Sequence, residues 1–390
     1  MTSLRAEPFR IAVAEADLVD LRLRLRRSRL PTGPDDPGWQ YGVARDYLAG
    51  LLAEWAEDYD WREHERRMND YAHLRIDVQG QSIHVLHVER PGVLPLLLLG
   101  GWPQTFWDFR DLIPALPDYE LVVPDLPGQG FSVPLRRTGI GYVQAAEMMH
   151  EVMIGLGHSR YGVYGTDWGA LMAEYLAVAH PDAIVGLHTT MPVPLDFSPS
   201  NRERATEWAA DEQERRAAAA AQAATGSGYL LMHVHSPQTV AYLADSPAAS
   251  AAWLIDKVHA WTDHDGDLES AYPRDQLLTL LSIFWFTNSI GSAARLYAES
   301  FRTPWTPPTG RSPLIAVPTA VAAYPRESGA YPRSWVEQYV DLRRWTARPR
   351  GGHFPAVEDA AGLAADIAAF FSELAPAPAN KMRRSHAVVR

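Results

Sequence analysis

A single aspartate stands at the centre of the segment "YGVYGTDWGALMAEY", residues 161–175. The segment predicts a short apolar strand, a turn flanked by Gly165 and Gly169, and an amphipathic helix. Such a turn holds its middle residue, here Asp167, in a strained conformation and lifts the side chain out of the sheet. Serine usually occupies this position. A carboxylate there predicts attack on a saturated carbon, giving an alkyl ester that water hydrolyses. The alternative, an ordinary loop with Asp167 as a helix N-cap, is disfavoured by the two glycines.

Hydrolysis of that ester needs a base for the water and donors for the developing oxyanion. His353 in "PRGGHFPAVED" is the candidate base, because it lies in a glycine loop after a strand, downstream of Asp167. The candidate donors are backbone amides, one of Trp168 directly after the nucleophile and one of Trp102 in "GGWPQ". Most of the other histidines are interpreted as surface or packing residues.

The sequence motifs give little support for a metal site or a bound cofactor. The pair His233 and His235 has the spacing of two ligands, but no third ligand follows at a convincing distance along the chain. No cysteine is present, which excludes disulfides, thiolate zinc sites and cysteine nucleophiles. We therefore expect catalysis without a metal or a cofactor.

The carboxylate that orients the base is left open by residue chemistry alone. An acid bound to the second ring nitrogen would fix the tautomer of His353 and stabilise its imidazolium form. Glu327, Asp341 and Glu337 all lie on the stretch between the nucleophile and the histidine. The spacing does not choose among them.

The elements that must position these residues alternate between strands and helices. Strand patterns at "LRIDVQGQSIHVLHVE", "VLPLLLLGGWP", "YELVVPDLPGQGFS" and "AIVGLHTTMP" predict a mostly parallel sheet flanked by helices. Residues 14–30 and 43–70 favour helices before it, although the leucines near 21–25 also fit a strand. We predict an α/β core over 74–193 and 311–374, an inserted helical cap over 194–310, and a disordered tail over 375–390.

The composition limits the classes of partner and the location that we expect for this protein. The net charge of −11 argues against nucleic acid, because phosphate binding needs a basic surface. The N-terminus lacks the apolar core of a signal peptide, and no apolar run is long enough to span a bilayer. We expect a cytoplasmic protein without a membrane anchor. The strong preference for arginine over lysine, with abundant alanine, is typical of a GC-rich bacterial genome. A homodimer and a monomer both remain open.

Taken together, "GGWP", "PDLPGQGFS", "GTDWG" and "GGHFP" resemble the epoxide hydrolases of the α/β-hydrolase superfamily, most closely the microsomal-type branch. The likeness covers about residues 6–372. It implies an α/β-hydrolase fold with an N-terminal helical meander over 1–73 and conversion of a small-molecule epoxide to a vicinal diol. Bacterial members of this branch act in enediyne antibiotic biosynthesis, and such a role, like aromatic hydrocarbon catabolism, is an expectation here.

The resemblance assigns three further residues. In this branch the orienting acid follows a strand in a tyrosine- or phenylalanine-proline-x-glutamate turn, which matches Glu327 in "YPRE". Two cap tyrosines that bind the epoxide oxygen match Tyr229 and Tyr297. Phenols suit that role, because with an ordinary pKa of about 10 they remain proton donors at neutral pH.

One position departs from the family pattern. The family loop usually begins His-Gly-Trp-Pro, whereas here Gly100 stands in the histidine's place. The backbone donors are retained, but we expect the loop to be held less tightly or the pocket beside it to be wider.

Two other functions remain as alternatives. A haloalkane dehalogenase forms the same ester, and a tryptophan beside the nucleophile, such as Trp168, can bind halide. A non-hydrolytic ligand-binding homologue is the third reading, favoured only by Gly100. Aromatic residues of the cap predict a bulky or aromatic substrate, although each also fits core packing. They are Trp208, Tyr242, Trp253, Trp261, Trp285 and Phe286.

Overall fold

A nine-stranded sheet forms the centre of the described chain. A computed structural model describes residues 4–32, 38–193, 226–308, 310–327 and 331–374. The strands are β1 (Ala6–Phe9), β2 (Ala72–Val78), β3 (Gln81–Val88), β4 (Pro95–Leu99), β5 (Glu120–Pro124), β6 (Tyr161–Gly165), β7 (Ile184–Thr189), β8 (Ile315–Ala323) and β9 (Val340–Ala347). Their spatial order is β1-β2-β3-β5-β4-β6-β7-β8-β9. The β1–β2, β2–β3 and β3–β5 pairs are antiparallel, and the pairs from β5 to β9 are parallel.

The central strands are apolar on both faces because helices cover both sides of the sheet. Every residue of β4 is buried. Leu97 and Leu99 join one core cluster, whereas Leu96 and Leu98 join the other. The carboxyl ends of the parallel strands meet at one edge, so the loops that follow them converge there.

The helices surround this sheet as the strand–helix alternation predicts. They are α1 (Glu15–Arg26), α2 (Arg45–Glu57), α3 (Trp61–Met68), α4 (Leu112–Ala115), α5 (Tyr142–Gly155), α6 (Trp168–Ala179), α7 (Gly228–His235), α8 (Pro237–Ala241), α9 (Pro247–Trp261), α10 (Arg274–Thr287), α11 (Ile290–Arg302), α12 (Arg333–Val336), α13 (Pro355–Glu358) and α14 (Ala360–Leu374). Side chains of α5 and α6 pack in the cluster with Leu97, and side chains of α14 pack in the cluster with Leu96. The α/β-hydrolase fold predicted from the sequence is confirmed.

The N-terminal segment differs from the prediction in two details. The helix expected over 43–70 is two helices, because the chain turns after α2 and Asp60 caps α3 by accepting a hydrogen bond from the Arg62 amide. In addition, β1 joins the edge of the sheet, with Ala6 opposite Ile76. Four residues that are mostly exposed carry no clear strand pattern, which explains why the sequence did not predict β1.

The described part of the proposed cap, residues 226–308, is helical and is called the cap below. Residues 194–225, with Trp208 and the alanine-rich run, lie outside the described residues, as does the tail predicted over 375–390. Within the described ranges, no single helix has both the length and the apolarity to cross a membrane. Only α10 and α11 together meet that test, and they are bent by 85° where they meet.

Candidate active site

Asp167 lies at the tip of the turn between β6 and α6. Its backbone has φ 52° and ψ −128°, in the region that residues other than glycine rarely adopt. The turn is tight: a Cβ on Gly169 would stand 2.2 Å from the Leu99 carbonyl oxygen. Only glycine therefore permits this approach of α6 to the end of β4, and the approach aims Asp167 at the loop after β4.

The loop after β4 donates directly to that carboxylate. The Trp102 amide lies 2.7 Å from Asp167 Oδ1 and donates a hydrogen bond to it. A Cβ on Gly101 would overlap the Asp167 side chain, which explains the glycine before the donor. Trp168 is the first residue of α6, so its amide belongs to the first turn of the helix, directly after the nucleophile.

Gly100 does not leave this loop loose, contrary to the expectation from sequence. A Cβ at Gly100 would lie 3.2 Å from Gln104 Oε1 and 3.3 Å from a ring carbon of Phe109, so these side chains fill the space. Gln104 Oε1 accepts a hydrogen bond from the Gly101 amide, and Gln129 Nε2 donates to the carbonyls of Gly101 and Gln104. Two glutamines thus fasten the loop.

His353 lies between two carboxylates. Its Nδ1 is 2.7 Å from Glu327 Oε2, and its Nε2 is 3.4 Å from Asp167 Oδ2. The structure therefore brings Glu327, from the turn after β8, to the imidazole. The two rivals pair elsewhere, Asp341 with Arg343 and Glu337 with Arg333. All three members of the set are largely buried, which strengthens the electrostatic interactions among them.

The charges around His353 set its protonation. Burial disfavours the imidazolium, but the negative charges of Glu327 and Asp167 outweigh burial and hold the pKa of His353 well above its ordinary value. The two carboxylates therefore favour the imidazolium form of His353 in the resting site.

Glu358 fastens the loop that carries His353, a feature that the sequence analysis did not identify. Its carboxylate accepts hydrogen bonds from the amides of Gly352 and Phe354, on either side of His353, and from the amide of Asp263 in the cap. The His353 amide donates to the Trp261 carbonyl at 2.9 Å. Burial raises the pKa of Glu358 to about 7, and the amide donors counteract part of that rise.

Tyr229 and Tyr297 lie over the nucleophile from the cap. The Tyr229 ring stacks on Trp102 with ring centroids 5.4 Å apart, and the Tyr297 ring meets Trp168 edge-on at 4.7 Å. The two tyrosine rings are 6.0 Å apart. Burial, with the charge of Asp167 adding to it, raises the pKa of both phenols, so both stay protonated at neutral pH.

His233, which the sequence suggested as a packing residue or a metal ligand, joins this aromatic group. Its ring centroid is 4.6 Å from that of Trp102 and 4.7 Å from that of Tyr297. Trp253 Nε1 donates to His233 Nε2 at 3.2 Å, so a neutral ring carries its proton on Nδ1. Burial lowers the pKa of His233 to about 3, with Lys257 contributing. The ring is therefore neutral.

Three polar atoms of this group have no hydrogen-bond partner within the described ranges. They are His233 Nδ1, the Tyr297 hydroxyl and Trp102 Nε1, all fully enclosed. Tyr229 and Trp168 lie near the Tyr297 hydroxyl. Buried polar groups are normally paired, so unpaired donors beside a nucleophile indicate a place for a polar atom of a ligand.

The aromatic residues of the cap separate into two groups. Trp261 contacts Tyr229, with ring centroids 5.1 Å apart, and contacts His353 at 5.0 Å. Together with Trp253 it belongs to the site. The remaining described members of the predicted set line a different groove, beside α1, and these are Tyr242, Trp285 and Phe286.

Comparison with known proteins finds relatives that match most of the chain. The family model described as epoxide hydrolase N terminus matches residues 6–109, and the model described as alpha/beta hydrolase fold matches residues 95–264. A protein of Stigmatella aurantiaca, provisionally named an epoxide hydrolase, is 35% identical over 94% of this chain and 85% of its own length. Epoxide hydrolase 1 of Oryctolagus cuniculus is 31% identical over 93% of this chain and 88% of its own length.

A solved structure extends the likeness to three dimensions. The crystal structure of juvenile hormone epoxide hydrolase from the silkworm Bombyx mori matches with a TM-score of 0.86 and 29% identity, covering 95% of each chain. The sequence matches run through the N-terminal segment, the sheet and the cap alike. On this evidence the chain belongs to the epoxide hydrolases of the α/β-hydrolase superfamily.

Proposed function

We propose that the protein opens an epoxide to a vicinal diol through an alkyl ester on Asp167. The observation that carries this proposal is the position of one carboxylate between a backbone donor and an imidazole. The Trp102 amide holds Oδ1, and His353 Nε2 lies beside Oδ2. A nucleophile, a donor for the oxyanion and a base for water are thus within reach of one another.

The two oxygens of Asp167 take different roles in this proposal. Oδ1, which already accepts from the Trp102 amide, becomes the ester carbonyl oxygen, and Oδ2 attacks the ring carbon. The C–O bond of the epoxide breaks, and the departing oxygen takes a proton from Tyr229 or Tyr297. Both phenols are buried and protonated, which suits them to bind the oxygen and to donate to it.

Ester formation prepares the base for the second step. Alkylation removes the negative charge of Asp167, one of the two charges that hold the pKa of His353 high. The imidazolium then loses its proton more easily, and that proton restores the phenol that protonated the epoxide oxygen. Neutral His353 accepts a proton from water, hydroxide adds to Cγ of the ester, the Cγ–Oδ2 bond breaks, and Oδ2 leaves with the diol after taking the proton back from His353. The Trp102 and Trp168 amides stabilise the oxyanion on Oδ1.

The substrate proposed is a bulky epoxide with an aromatic or extended apolar group. Five aromatic rings surround the nucleophile, which favours such groups over small aliphatic chains. They are Trp102, Trp168, Tyr229, Trp261 and Tyr297. A panel from propylene oxide to styrene oxide and larger aryl epoxides tests this proposal by kcat/KM. A role in enediyne biosynthesis or aromatic catabolism stays a prediction from the sequence.

Haloalkane dehalogenation is less well supported. A halide leaves without a proton, so it does not need the two buried phenols that lie over Asp167. The relatives that match over most of the chain are named epoxide hydrolases. Assays of halide release from chloro- and bromoalkanes separate the two activities, and we expect none.

The decisive experiment is a single turnover in heavy-oxygen water with enzyme in excess. The new diol oxygen should carry no label in the first turnover, because it comes from Asp167, and the label should appear in the peptide that contains Asp167. Label in the diol at the first turnover would show direct hydration and would refute the ester. The Asp167→Asn variant should bind epoxides but show no turnover, and unchanged turnover in that variant would also refute it.

A further inference from the structure

We propose a binding site for a divalent transition-metal ion, of the zinc class, formed by His87, Glu120 and His158. Glu120 Oε1 lies 2.7 Å from His87 Nε2 and 2.9 Å from His158 Nε2. One ligand atom from each residue lies within 4.8 Å of the other two. Two imidazole nitrogens and one carboxylate are a donor set that zinc and its neighbours in the first transition row prefer.

The backbone holds all three residues in place before any ion binds. His87 in β3 lies opposite Val122 of β5, two residues from Glu120, so both side chains project from one face of the sheet. His158 follows the end of α5, where the Gly157 amide donates to the Ile154 carbonyl and the His158 amide donates to the Met153 carbonyl. This pair of bonds is a Schellman motif, which fixes the chain at His158.

The distances suit an ion after a small adjustment. A tetrahedral ion with bonds of about 2.0–2.1 Å separates its ligand atoms by about 3.3–3.4 Å. The two histidine-to-glutamate contacts are shorter than this by about half an ångström, a change that small side-chain rotations provide. The side chains are 12%, 7% and 16% exposed, so an ion there is sheltered and still reachable from solvent. A fourth position is left for water.

Hydrogen bonding alone accounts for only part of this arrangement. His87 Nε2 makes a regular hydrogen bond with Glu120 Oε1. His158 Nε2 lies close to the same oxygen but lacks hydrogen-bond geometry, and this buried nitrogen has no hydrogen-bond partner within the described ranges. A buried ring nitrogen directed at a carboxylate without a proper hydrogen bond is explained by a shared ion.

The site lies at the edge of the sheet opposite the active site. Glu120 is the first residue of β5 and His158 precedes β6, so both stand at the amino ends of parallel strands. Asp167 and the Trp102 loop follow the carboxyl ends of β6 and β4. An ion would therefore join β3, β5 and the turn after α5, and stabilise the folded chain without contact with the reacting groups.

The test uses the full chain without a histidine tag, stripped with EDTA and titrated with Zn²⁺ at neutral pH by calorimetry. Co²⁺ titration provides a visible spectrum of the bound ion. We expect saturable binding of one ion per chain, absorption bands of a low-coordinate cobalt site, and a higher Tm with Zn²⁺. The variants His158→Ala and His87→Gln should each lose at least about 100-fold in affinity.

The matched control is His180→Ala, which removes a histidine that pairs with Glu147 outside the site. This variant should bind Zn²⁺ like the wild type, and epoxide turnover should be unchanged in His158→Ala. Circular dichroism checks that each variant folds. The proposal is overturned if the wild type shows no saturable binding. It is equally overturned if either site variant that folds binds as tightly as the wild type.

Discussion

The two sides of the active site are built differently. On the sheet side, Asp167, His353 and Glu327 contact one another through charged groups, with the Trp102 amide as a further donor. On the cap side, aromatic rings pack against one another, and the Tyr297 hydroxyl and His233 Nδ1 have no hydrogen-bond partner within the described ranges. The charged groups of the sheet side are paired with one another, although His353 Nε2 and Trp102 Nε1 also lack a hydrogen-bond partner within the described ranges. The unpaired groups of the cap side are neutral donors.

This difference shows which side is prepared for the substrate. The sheet side is set for the chemistry in advance, because its charges fix the protonation and orientation of its own groups. The free donors of the cap side complement an oxygen that arrives with the substrate. Changes on the sheet side should therefore affect kcat most, and changes on the cap side should divide between kcat and KM.

The largest effect should follow from His353→Gln. Asp167 should still attack the epoxide, but no base would activate water, so the ester should accumulate and steady-state turnover should fall at least about 1000-fold. Intact-protein mass spectrometry should show one substrate adduct per chain. Regular turnover without an adduct would contradict the role of His353 as base.

The tyrosines should give the next largest effect. Tyr229→Phe and Tyr297→Phe keep the ring packing but remove one donor to the epoxide oxygen, and each should lower kcat about 100-fold. The double variant should lose far more, with the rate of ester formation reduced in single-turnover kinetics. Tyr142→Phe provides a control, because Tyr142 packs near Trp168 at 6.2 Å outside the pair. Equal losses in the control would show a packing effect only.

Replacement of His233 should have a smaller effect that appears mainly in KM. His233→Phe keeps an aromatic ring and removes the free Nδ1–H donor together with the Nε2 acceptor of the Trp253 indole, and we expect KM to rise about tenfold with little change in kcat. Because the ring is neutral over the assay range, the pH profile should not move. The exposed His235 supplies the control His235→Phe, which should leave both constants unchanged. An unaltered KM in His233→Phe would show that the ring only packs.

The smallest effect on activity should come from Glu358→Gln, which keeps one of the two acceptor oxygens that bind the amides around His353. The folded pKa of Glu358, about 7, lies above its unfolded value of about 4.3. The native state therefore binds a proton more tightly, and this contribution to stability is lost as pH rises from about 4.3 to 7. The free energy of unfolding, measured with urea, should fall less between pH 5 and pH 8 in the variant than in the wild type, and turnover should change only a few-fold. An equal fall in the two proteins would contradict the raised pKa of Glu358.

The parts of the site predictable from sequence are those with a local signature. Asp167 and His353 lie in glycine-containing turns whose geometry follows from neighbouring residues. Glu327 required the family resemblance, because Asp341 and Glu337 were equally suitable by chemistry. Their own arginine partners, which exclude them, are visible only in the fold.

Contacts between distant parts of the chain had no such signature. His233 was found among fourteen histidines only when the cap was placed over the Trp102 loop. Glu358 supports the His353 loop in part because it accepts a hydrogen bond from the amide of Asp263, which lies in the loop after α9. Similarly, Gly100 indicated a loose loop until Gln104 and Gln129 were seen to fasten it. Local patterns identify reacting groups, whereas the supporting contacts arise from tertiary packing.

The pairing of β1 with β2 constrains how substrate enters. Both ends of the N-terminal segment are anchored to the same sheet edge, with Ala6 to Phe9 opposite Ile76 to His73. Displacement of this segment would require the hydrogen bonds between β1 and β2 to break. We therefore expect substrate to reach the nucleophile by way of the cap and not by displacement of the N-terminal segment. Engineering of access routes should begin there, with the amino-terminal residues left untouched.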